Sequence, residues 1–174
     1  AMTPEDILSH KPLLLTQEQR EFYFQNGYLL AERIIPQDWV ERLLQVTEEM
    51  VERSRALEKS DVIFDLEPGH TATEPRLRRL TSPVEHHPAY WEFASKSVRV
   101  ARAADLVGPD VKFHHSKLNF KGAKGGEEVK WHQDIGYWPH TNYSPCTMGV
   151  YLHDVGGDQG ALGVVPGSHN GDLY

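Results

Sequence analysis

The order of helix-like and strand-like segments is the feature that most limits the folds open to this chain. In the first part of the sequence, apolar residues recur at helical spacing, whereas from Val111 onward alternating segments are separated by glycine clusters. We predict strands in four of these later segments: 111–121, 129–137, 146–155 and 162–166. Helices followed by strands indicate an α+β fold in which the helices pack against one face of a sheet.

Two helices are predicted near the N-terminus. The stretch Thr16-Gln17-Glu18-Gln19 has the pattern of a capping box, which predicts a helix that runs to about Gln25 and stops at Asn26-Gly27. A longer helix is expected to open at Pro36 and Asp38, because apolar residues follow there on one helical face. These apolar residues are Trp39, Val40, Leu43, Leu44, Val46, Met50 and Val51.

Other elements are expected around these two helices. They are strands over 28–35 and 76–81, a loop over 60–75, and a helix over 88–107. The loop is indicated by its Pro-Gly and Glu-Pro pairs, and the last helix is expected to end at Gly108-Pro109. Residues 1–110 are therefore predicted to form a helical region with one or two short strands.

Composition and charge exclude several classes of function. The chain has 174 residues and a formal net charge of −7, and its densest basic run, Arg76 to Arg79, is too short for a groove that follows phosphates. No apolar run approaches the roughly 18 residues of a membrane span. The lone cysteine, Cys146, excludes an intrachain disulfide and fits a reducing compartment. We expect a soluble, cytoplasmic, single-domain protein that binds neither nucleic acid nor membrane.

The stretch Lys130-Trp131-His132-Gln133-Asp134 holds a histidine and a carboxylate two positions apart. On a strand, His132 and Asp134 would project from the same face and Gln133 from the other. With one further histidine they would form the facial triad of two histidines and one carboxylate that binds non-heme Fe(II). The pattern alone is weak, because a surface histidine beside an aspartate is the more common situation.

The preceding segment separates into two faces if it is a strand. Leu118 and Phe120 would lie on one face, and His115, Lys117 and Asn119 on the other. A polar face usually points to solvent. In a barrel that holds a charged ligand it points inward, and a lysine on it is then able to meet a carboxylate.

Several stretches, in the right order, resemble the phytanoyl-CoA dioxygenase family of Fe(II)/2-oxoglutarate oxygenases. Glu21–Leu29 is similar to the family's opening signature, and Gly108–Val111 precedes the first core strand. Trp131–Asp134 matches the His-Gln-Asp metal motif, and Gly160–His169 matches the block that ends in Pro-Gly-Ser-His. The resemblance covers about residues 16–174, and the last two motifs are the most specific.

The resemblance implies a double-stranded β-helix (a jelly roll, cupin-like) flanked by N-terminal helices. Residues 111–174 would be the first half of this catalytic core. His132 and Asp134 would bind iron, and Lys117, Arg79 and Gln133 would lie at the 2-oxoglutarate site. Val150 stands where phytanoyl-CoA hydroxylase has a tryptophan, so the co-substrate contact at that point differs.

Other residues near the motif have expected roles. Ile135, Tyr137 and Trp138 follow the metal motif and would wall a pocket for a small-molecule substrate, although ordinary core packing explains them as well. His169 resembles a ligand, but in the family this histidine belongs to a turn. His153 is likewise not expected to bind metal.

The family carries its second iron histidine, and an arginine for 2-oxoglutarate, well beyond the Pro-Gly-Ser-His block. The third ligand and this arginine are therefore expected beyond Tyr174, and the chain is expected to lack the C-terminal half of its barrel. The remainder of the barrel would be its partner, since a half barrel leaves unpaired edges. Alone, the chain is expected to bind iron weakly.

The resemblance implies a dioxygenase that uses Fe(II) and 2-oxoglutarate to hydroxylate a small organic substrate, with decarboxylation of 2-oxoglutarate to succinate. The alternative is a non-catalytic jelly-roll module that binds a small molecule without metal. A zinc hydrolase is disfavoured because the sequence has no His-Glu-x-x-His motif. The sequence does not identify the substrate.

Overall fold

The computed structural model describes residues 2–122, 129–137 and 144–173. Its α helices are α1 (Pro4–Ser9), α2 (Gln17–Asn26), α3 (Gln37–Ser54), α4 (Pro83–His86), α5 (Pro88–Lys96) and α6 (Val98–Val107). Its strands are β1 (Phe64–Leu66), β2 (Leu77–Thr81) and β3 (Lys117–Asn119). Short 3₁₀ helices lie at Asp134–Tyr137, Gly157–Gln159 and Ser168–Asn170. The fold is therefore α+β, as the sequence predicts.

Helix α2 begins and ends where its local signals predict. The Thr16 hydroxyl accepts a hydrogen bond from the Gln19 N–H at 3.1 Å, and the Gln19 side chain accepts one from the Thr16 N–H at 2.9 Å. At the other end, Gly27 adopts a left-handed conformation with a φ of 81°. This reciprocal cap and terminal glycine together define the helix.

Helix α3 supplies the main apolar face of the core. Leu43, Val46 and Met50 are buried on one side, as the predicted stripe requires, and they cluster with Leu80 of β2 and Phe93 of α5. The opposite side of α3 is charged and exposed. Throughout the described ranges, no helix combines the length and apolar content needed to cross a membrane.

The three strands form one antiparallel sheet in the order β1-β2-β3. Leu80 at its centre is fully buried and pairs with Phe64 on one side and Leu118 on the other. The register shifts between Asp65 and Leu66, which leaves Arg78 as an extra residue in β2. This bulge allows both Leu77 and Leu80 to face the helices. One face of the sheet is thus apolar and packed against α3 and α5.

Two buried charged residues fasten the N-terminal segment to α6. The Asp105 carboxylate accepts hydrogen bonds from three consecutive backbone N–H groups, those of Leu13, Leu14 and Leu15, at 2.7, 2.8 and 2.8 Å. The Arg20 guanidinium donates to the backbone carbonyls of Asp105 and His10 at 3.1 and 2.9 Å, and also to that of Ile7. Arg20 and Asp105 are 1% and 4% exposed, so water does not replace these bonds.

Three of the N-terminal predictions need correction. Residues 28–35 contain turns rather than a strand, and Arg33 there has a φ of 54°. The predicted loop 60–75 includes β1. The predicted helix 88–107 divides into α5 and α6 at Ser97, whose extended backbone and side-chain hydrogen bond to the Arg99 N–H cap a new helix.

Most of the strands predicted after Val111 are absent from the described residues. Within 111–121 only β3 forms, and the described parts of 129–137, 146–155 and 162–166 contain no strand. Alternation shows that a segment suits a strand, but a strand forms only beside a partner that completes its hydrogen bonds. Apolar side chains in these segments stay exposed, among them Trp131, Tyr151 and Leu162.

Candidate metal site

His132 and Asp134 lie side by side. The distance between His132 Nε2 and Asp134 Oδ1 is 3.2 Å. Two ligands bound at a right angle, each about 2.1 Å from one divalent ion, are about 3 Å apart. The two side chains are 29% and 38% exposed, so a small molecule can reach them. The pair therefore has the spacing of neighbouring ligands of one cation.

A turn, rather than a strand, brings the two groups together. The predicted strand over 129–137 is wrong at this point, because Asp134 begins the 3₁₀ helix Asp134–Tyr137. The Gly136 N–H donates to the Gln133 carbonyl at 3.1 Å and closes the turn. The shared direction of His132 and Asp134 is thus confirmed, but its structural cause differs from the predicted one.

Hydrogen bonds orient both groups of the pair. His132 Nδ1 is 2.7 Å from the Lys130 carbonyl oxygen, which can only accept, so Nδ1 carries a proton. In the neutral ring Nε2 then presents a lone pair. Asp134 Oδ2 accepts a hydrogen bond from the Thr147 hydroxyl at 2.8 Å, which leaves Oδ1 facing Nε2. Two facing acceptor atoms are an arrangement that a shared metal cation would complete, and outer partners of this kind are typical of metal sites.

The described residues bring two candidate ligands together, not three. Among them, no group of three or more histidine, cysteine, aspartate or glutamate residues is placed to hold a metal ion. His169 is engaged elsewhere, because its Nε2 donates to the Phe24 carbonyl at 2.9 Å. The prediction that His169 belongs to a turn agrees with its place in the short 3₁₀ helix Ser168–Asn170. His153 is exposed and lies in an irregular segment.

The remaining residue of the motif, Gln133, connects the pair to the C-terminal block. Its side-chain amide donates to the Ser168 carbonyl at 3.1 Å. The side-chain nitrogen of Gln133 therefore contacts the protein itself rather than a ligand. The predicted role of Gln133 in binding 2-oxoglutarate stays a prediction.

Arg79 and Lys117 share the polar face of the sheet. In the register of β2 and β3, Arg79 pairs with Asn119 and Thr81 pairs with Lys117, on the face opposite Leu80. The predicted division into two faces is thereby confirmed for the residues of β3, Lys117 to Asn119. Arg79 also forms an ion pair with Asp65, with 2.7 Å between Nη2 and Oδ2. An arriving carboxylate would therefore compete with Asp65 for the guanidinium. Contact of either residue with 2-oxoglutarate stays a prediction.

The structure describes two of the three predicted pocket residues. The Tyr137 ring stands edge-on to the His132 ring, with 5.2 Å between centroids, and the residue is 67% exposed. Ile135 is half-buried. Trp138 lies outside the described residues. Tyr137 is therefore placed beside the His132–Asp134 pair, and the pocket itself stays a prediction.

Sequence reasoning missed the outer partners of the site. Thr147 holds Asp134 from 13 positions away, and the Lys130 carbonyl holds His132. On α2, burial raises the pKa of Tyr23, and the nearby thiol of Cys146, the neighbour of Thr147, adds to this rise. A backbone carbonyl and an isolated threonine carry no pattern that a single sequence could show.

Gly27 is expected to tolerate no side chain, for two reasons. Its φ of 81° is unfavourable for any residue with a Cβ, and an added Cβ would lie 2.4 Å from His169 Nδ1. We expect Gly27→Ala to lower the free energy of unfolding by about 1–2 kcal/mol from the backbone alone, measured by urea denaturation. Gly149→Ala is the matched control, since nothing lies within 4 Å of a Cβ there. Equal stability of the two variants would contradict the prediction.

Comparison with known proteins identifies the family. The sequence model of the phytanoyl-CoA dioxygenase family (PhyH) matches residues 23–174. A probable alpha-ketoglutarate-dependent hypophosphite dioxygenase from Stutzerimonas stutzeri is 30% identical over 165 residues, which cover 92% of this chain and 56% of the relative. An ectoine dioxygenase from Sphingopyxis alaskensis is 28% identical over 163 residues, covering 89% and 50%. The chain belongs to the phytanoyl-CoA dioxygenase family.

The structural comparison agrees with this membership. The crystal structure of EctD from S. alaskensis with bound Fe is similar to this chain with a TM-score of 0.61 and 26% sequence identity, covering 71% of this chain and 42% of that one. The human peroxisomal phytanoyl-CoA dioxygenase is 23% identical over 167 residues, covering 92% and 49%. The chain thus spans about half the length of the curated relatives it matches.

Proposed function

We propose that the protein is a dioxygenase that uses Fe(II) and 2-oxoglutarate to hydroxylate a small organic substrate and releases succinate. The observation that carries this proposal is the His132–Asp134 pair, whose facing Nε2 and Oδ1 atoms are 3.2 Å apart and separately oriented by hydrogen bonds. The family match across these residues and the Fe bound in the similar EctD structure support it.

In this proposal, each residue of the pair has a defined task. His132 offers Nε2 to Fe(II) while the Lys130 carbonyl holds its other nitrogen. Asp134 offers Oδ1 while the Thr147 hydroxyl holds Oδ2. Bound iron and 2-oxoglutarate supply the oxidising power for C–H hydroxylation. The chain contributes orientation of the ligands and, at Tyr137, an aromatic wall beside them.

The polar face of the sheet is proposed as the place for 2-oxoglutarate. This co-substrate carries two carboxylates, and Arg79 and Lys117 put two cationic side chains on one face of β2 and β3. Asp65 holds Arg79 in the absence of a ligand. If a carboxylate of 2-oxoglutarate displaced Asp65 as the ion-pair partner of Arg79, the positive charge of Arg79 would be balanced both before and after binding.

We also propose that the sheet belongs to a jelly roll. The further strands of this barrel would pack against residues 129–173. Leu80 and Leu118 face the helices, as the outer face of such a barrel wall would, and the polar face is left for the interior. The exposed side chains of Trp131 (72%) and Leu162 (75%) are the kind of surface that further barrel strands would bury. The remainder of the barrel is thus the proposed partner of these segments.

The substrate and the location are proposed only in outline. The relatives are named for hypophosphite, ectoine and phytanoyl-CoA, which share little chemistry, so a small molecule is as far as the proposal goes. The single cysteine fits a reducing compartment, and we propose the cytoplasm.

Succinate formation tests the proposal. We expect the purified protein, tested together with the remainder of its barrel, to convert 2-oxoglutarate to succinate with added Fe(II), and a panel containing ectoine, hypophosphite and phytanoyl-CoA to show which substrate raises the rate. A chelator should stop the reaction and Fe(II) should restore it. A binding module would retain iron neither during purification nor after reconstitution and would bind its ligand equally with or without chelator. That result would contradict the proposal.

A further inference from the structure

Helix α2 reaches the metal pair through two sets of contacts, which we call the first and second arms. In the first arm, the carbonyls at the end of α2 accept hydrogen bonds from the Pro-Gly-Ser-His block. His169 Nε2 donates to the Phe24 carbonyl at 2.9 Å, and the Gly167 N–H donates to the Asn26 carbonyl at 2.8 Å. The block therefore caps the helix.

The first arm continues from this cap to the metal motif. The carbonyl of Ser168, between the two capping residues, accepts the side-chain amide of Gln133 at 3.1 Å. Gln133 stands between His132 and Asp134 in the sequence. Its position is thus fixed by residues 35 places later, which are themselves fixed by α2.

The second arm reaches Asp134 from a different side. Tyr23 on α2 lies near Cys146, whose thiol adds to the effect of burial in raising the pKa of Tyr23, and burial likewise raises the pKa of this thiol, which keeps it protonated and neutral. The next residue, Thr147, donates to Asp134 Oδ2 at 2.8 Å. The Arg99 guanidinium of α6 donates to the Met148 carbonyl at 3.2 Å and holds the same segment.

We propose that α2 is a brace that sets the orientation of His132 and Asp134, with His169, Gln133 and Thr147 as positioning residues. The inference rests on the proposed function in taking this pair as metal ligands. It assigns to the Pro-Gly-Ser-His block a role in ligand orientation without any contact with the metal. Outer partners in metal sites typically change metal affinity by about 10–100-fold.

The helix is suited to this task because both of its ends are fixed. Its N-terminus has a complete capping box, and the fully buried Arg20 ties it to α6. At its C-terminus, Gly27 leaves room for the His169 ring, which an added Cβ would strike. Helix α2 therefore has little freedom to rotate, and the two arms start from a fixed support.

Metal affinity tests the brace. The probe is Co(II), titrated into the metal-free chain and followed by its visible absorption, which reports affinity and coordination geometry. We expect His169→Phe, Gln133→Met and Thr147→Val each to weaken Co(II) binding by about 10-fold or more. His169→Gln keeps an N–H donor near the Phe24 carbonyl and should restore most of the affinity. His153→Phe, at an exposed histidine, is the matched control and should bind as wild type.

A second control separates positioning from loss of stability. Val46→Ala leaves a cavity in the core beside α3 and should lower the melting temperature by a few degrees without changing Co(II) affinity. If Val46→Ala and His169→Phe weakened Co(II) binding equally, the brace would be overturned. Wild-type affinity in all three positioning variants would overturn it as well.

Hydrogen exchange keeps the inference testable without metal. In the metal-free chain, His169→Phe should speed amide exchange over residues 130–137, whereas His153→Phe should not. If His132→Ala binds Co(II) like wild type, the proposed metal site is wrong, and the exchange result alone then decides whether the brace exists. Unchanged exchange in His169→Phe would overturn the brace even where His132→Ala has lost all binding.

Discussion

Replacing His132 by alanine is expected to lower the rate of succinate formation by more than about 100-fold. Loss of an outer partner alone typically costs about 10–100-fold in a metal site, and His132 is proposed as a direct ligand. Its Nε2 lies 3.2 Å from Asp134 Oδ1. Without this imidazole, the pair would offer the metal only one ligand atom, the Asp134 oxygen, whose carboxylate is oriented by Thr147.

The same variant should fold normally, which makes the loss interpretable. His132 is a partly exposed residue on a turn, and substitutions at such positions usually change stability by less than about 0.5 kcal/mol. Wild type should gain thermal stability on addition of Mn(II), because a cation that binds only the folded state stabilises it. His132→Ala should lose this gain while keeping the melting temperature of the metal-free protein.

Comparison with Asp134→Ala shows whether the two residues act as one site. Residues that work as a unit are strongly non-additive, so the double variant should be no slower than either single one. His153→Ala serves as the matched control and should retain the wild-type rate. Multiplicative losses in the double variant, or succinate formation by His132→Ala within about twofold of wild type, would refute the assignment.

The helices were predictable because their signals are local. The capping box of α2 lies within one turn, and Gly27 ends the helix through its own backbone conformation. The stripe of α3 repeats over a single continuous segment, and its residues Leu43 and Met50 are buried as predicted. The break at Ser97 escaped, since both sides of it have helical composition, and so did the short helices α1 and α4.

The strands were less predictable because pairing joins distant residues. Leu80 meets Leu118 and Phe64 across gaps that no local pattern specifies, and β1 was hidden in a segment rich in turn residues. Conversely, residues 129–137 alternate like a strand, yet Asp134 starts a 3₁₀ turn. Alternation describes a preference of the side chains, whereas a ladder also needs a neighbouring backbone.

The proximity of His132 and Asp134 was predictable from their motif, but the surroundings of the pair were not. His132 and Asp134 are close in sequence, so either a strand or a turn directs them together. Thr147 and Ser168 act on the motif from 13 and 35 positions away, through a hydroxyl and a carbonyl. Such groups occur throughout any sequence, and only the folded chain shows which of them are used.

Replacing Asp105 by alanine is expected to be the most destabilising single change outside the apolar core. The carboxylate accepts three backbone N–H groups, of Leu13, Leu14 and Leu15, all within 2.8 Å. Its removal leaves these donors and the nearby Arg20 guanidinium without the anion in a site almost closed to water. Each buried donor left without an acceptor costs about 1–3 kcal/mol, so the loss of three such bonds removes a large part of the roughly 5–15 kcal/mol that stabilises a typical domain.

Urea denaturation checks this expectation. Asp105→Asn keeps the shape and one acceptor oxygen, so it should lose less stability than Asp105→Ala. Asp110→Ala, at an exposed aspartate just beyond α6, is the matched control and should change the free energy of unfolding by less than about 0.5 kcal/mol. A loss in Asp105→Ala no larger than in Asp110→Ala would show that the N-terminal segment is held by other contacts.

The pH dependence of stability identifies the ionised carboxylate as the stabilising group. Burial by itself would raise the pKa of Asp105, but the N–H donors of Leu13, Leu15 and Leu14, with the charge of Arg20, outweigh burial and lower the pKa. A lowered pKa in the folded state means that the stabilisation is present above the unfolded value of about 3.9 and is lost as the pH falls through the folded value. Wild type should therefore lose stability more steeply than Asp105→Asn below about pH 4. The gap between them should be wide at pH 7 and narrow in acid, because protonation turns the wild-type group into a neutral one like the amide. A gap of constant size over this range would mean that the shape of the side chain, and not its charge, holds the N-terminal segment on α6.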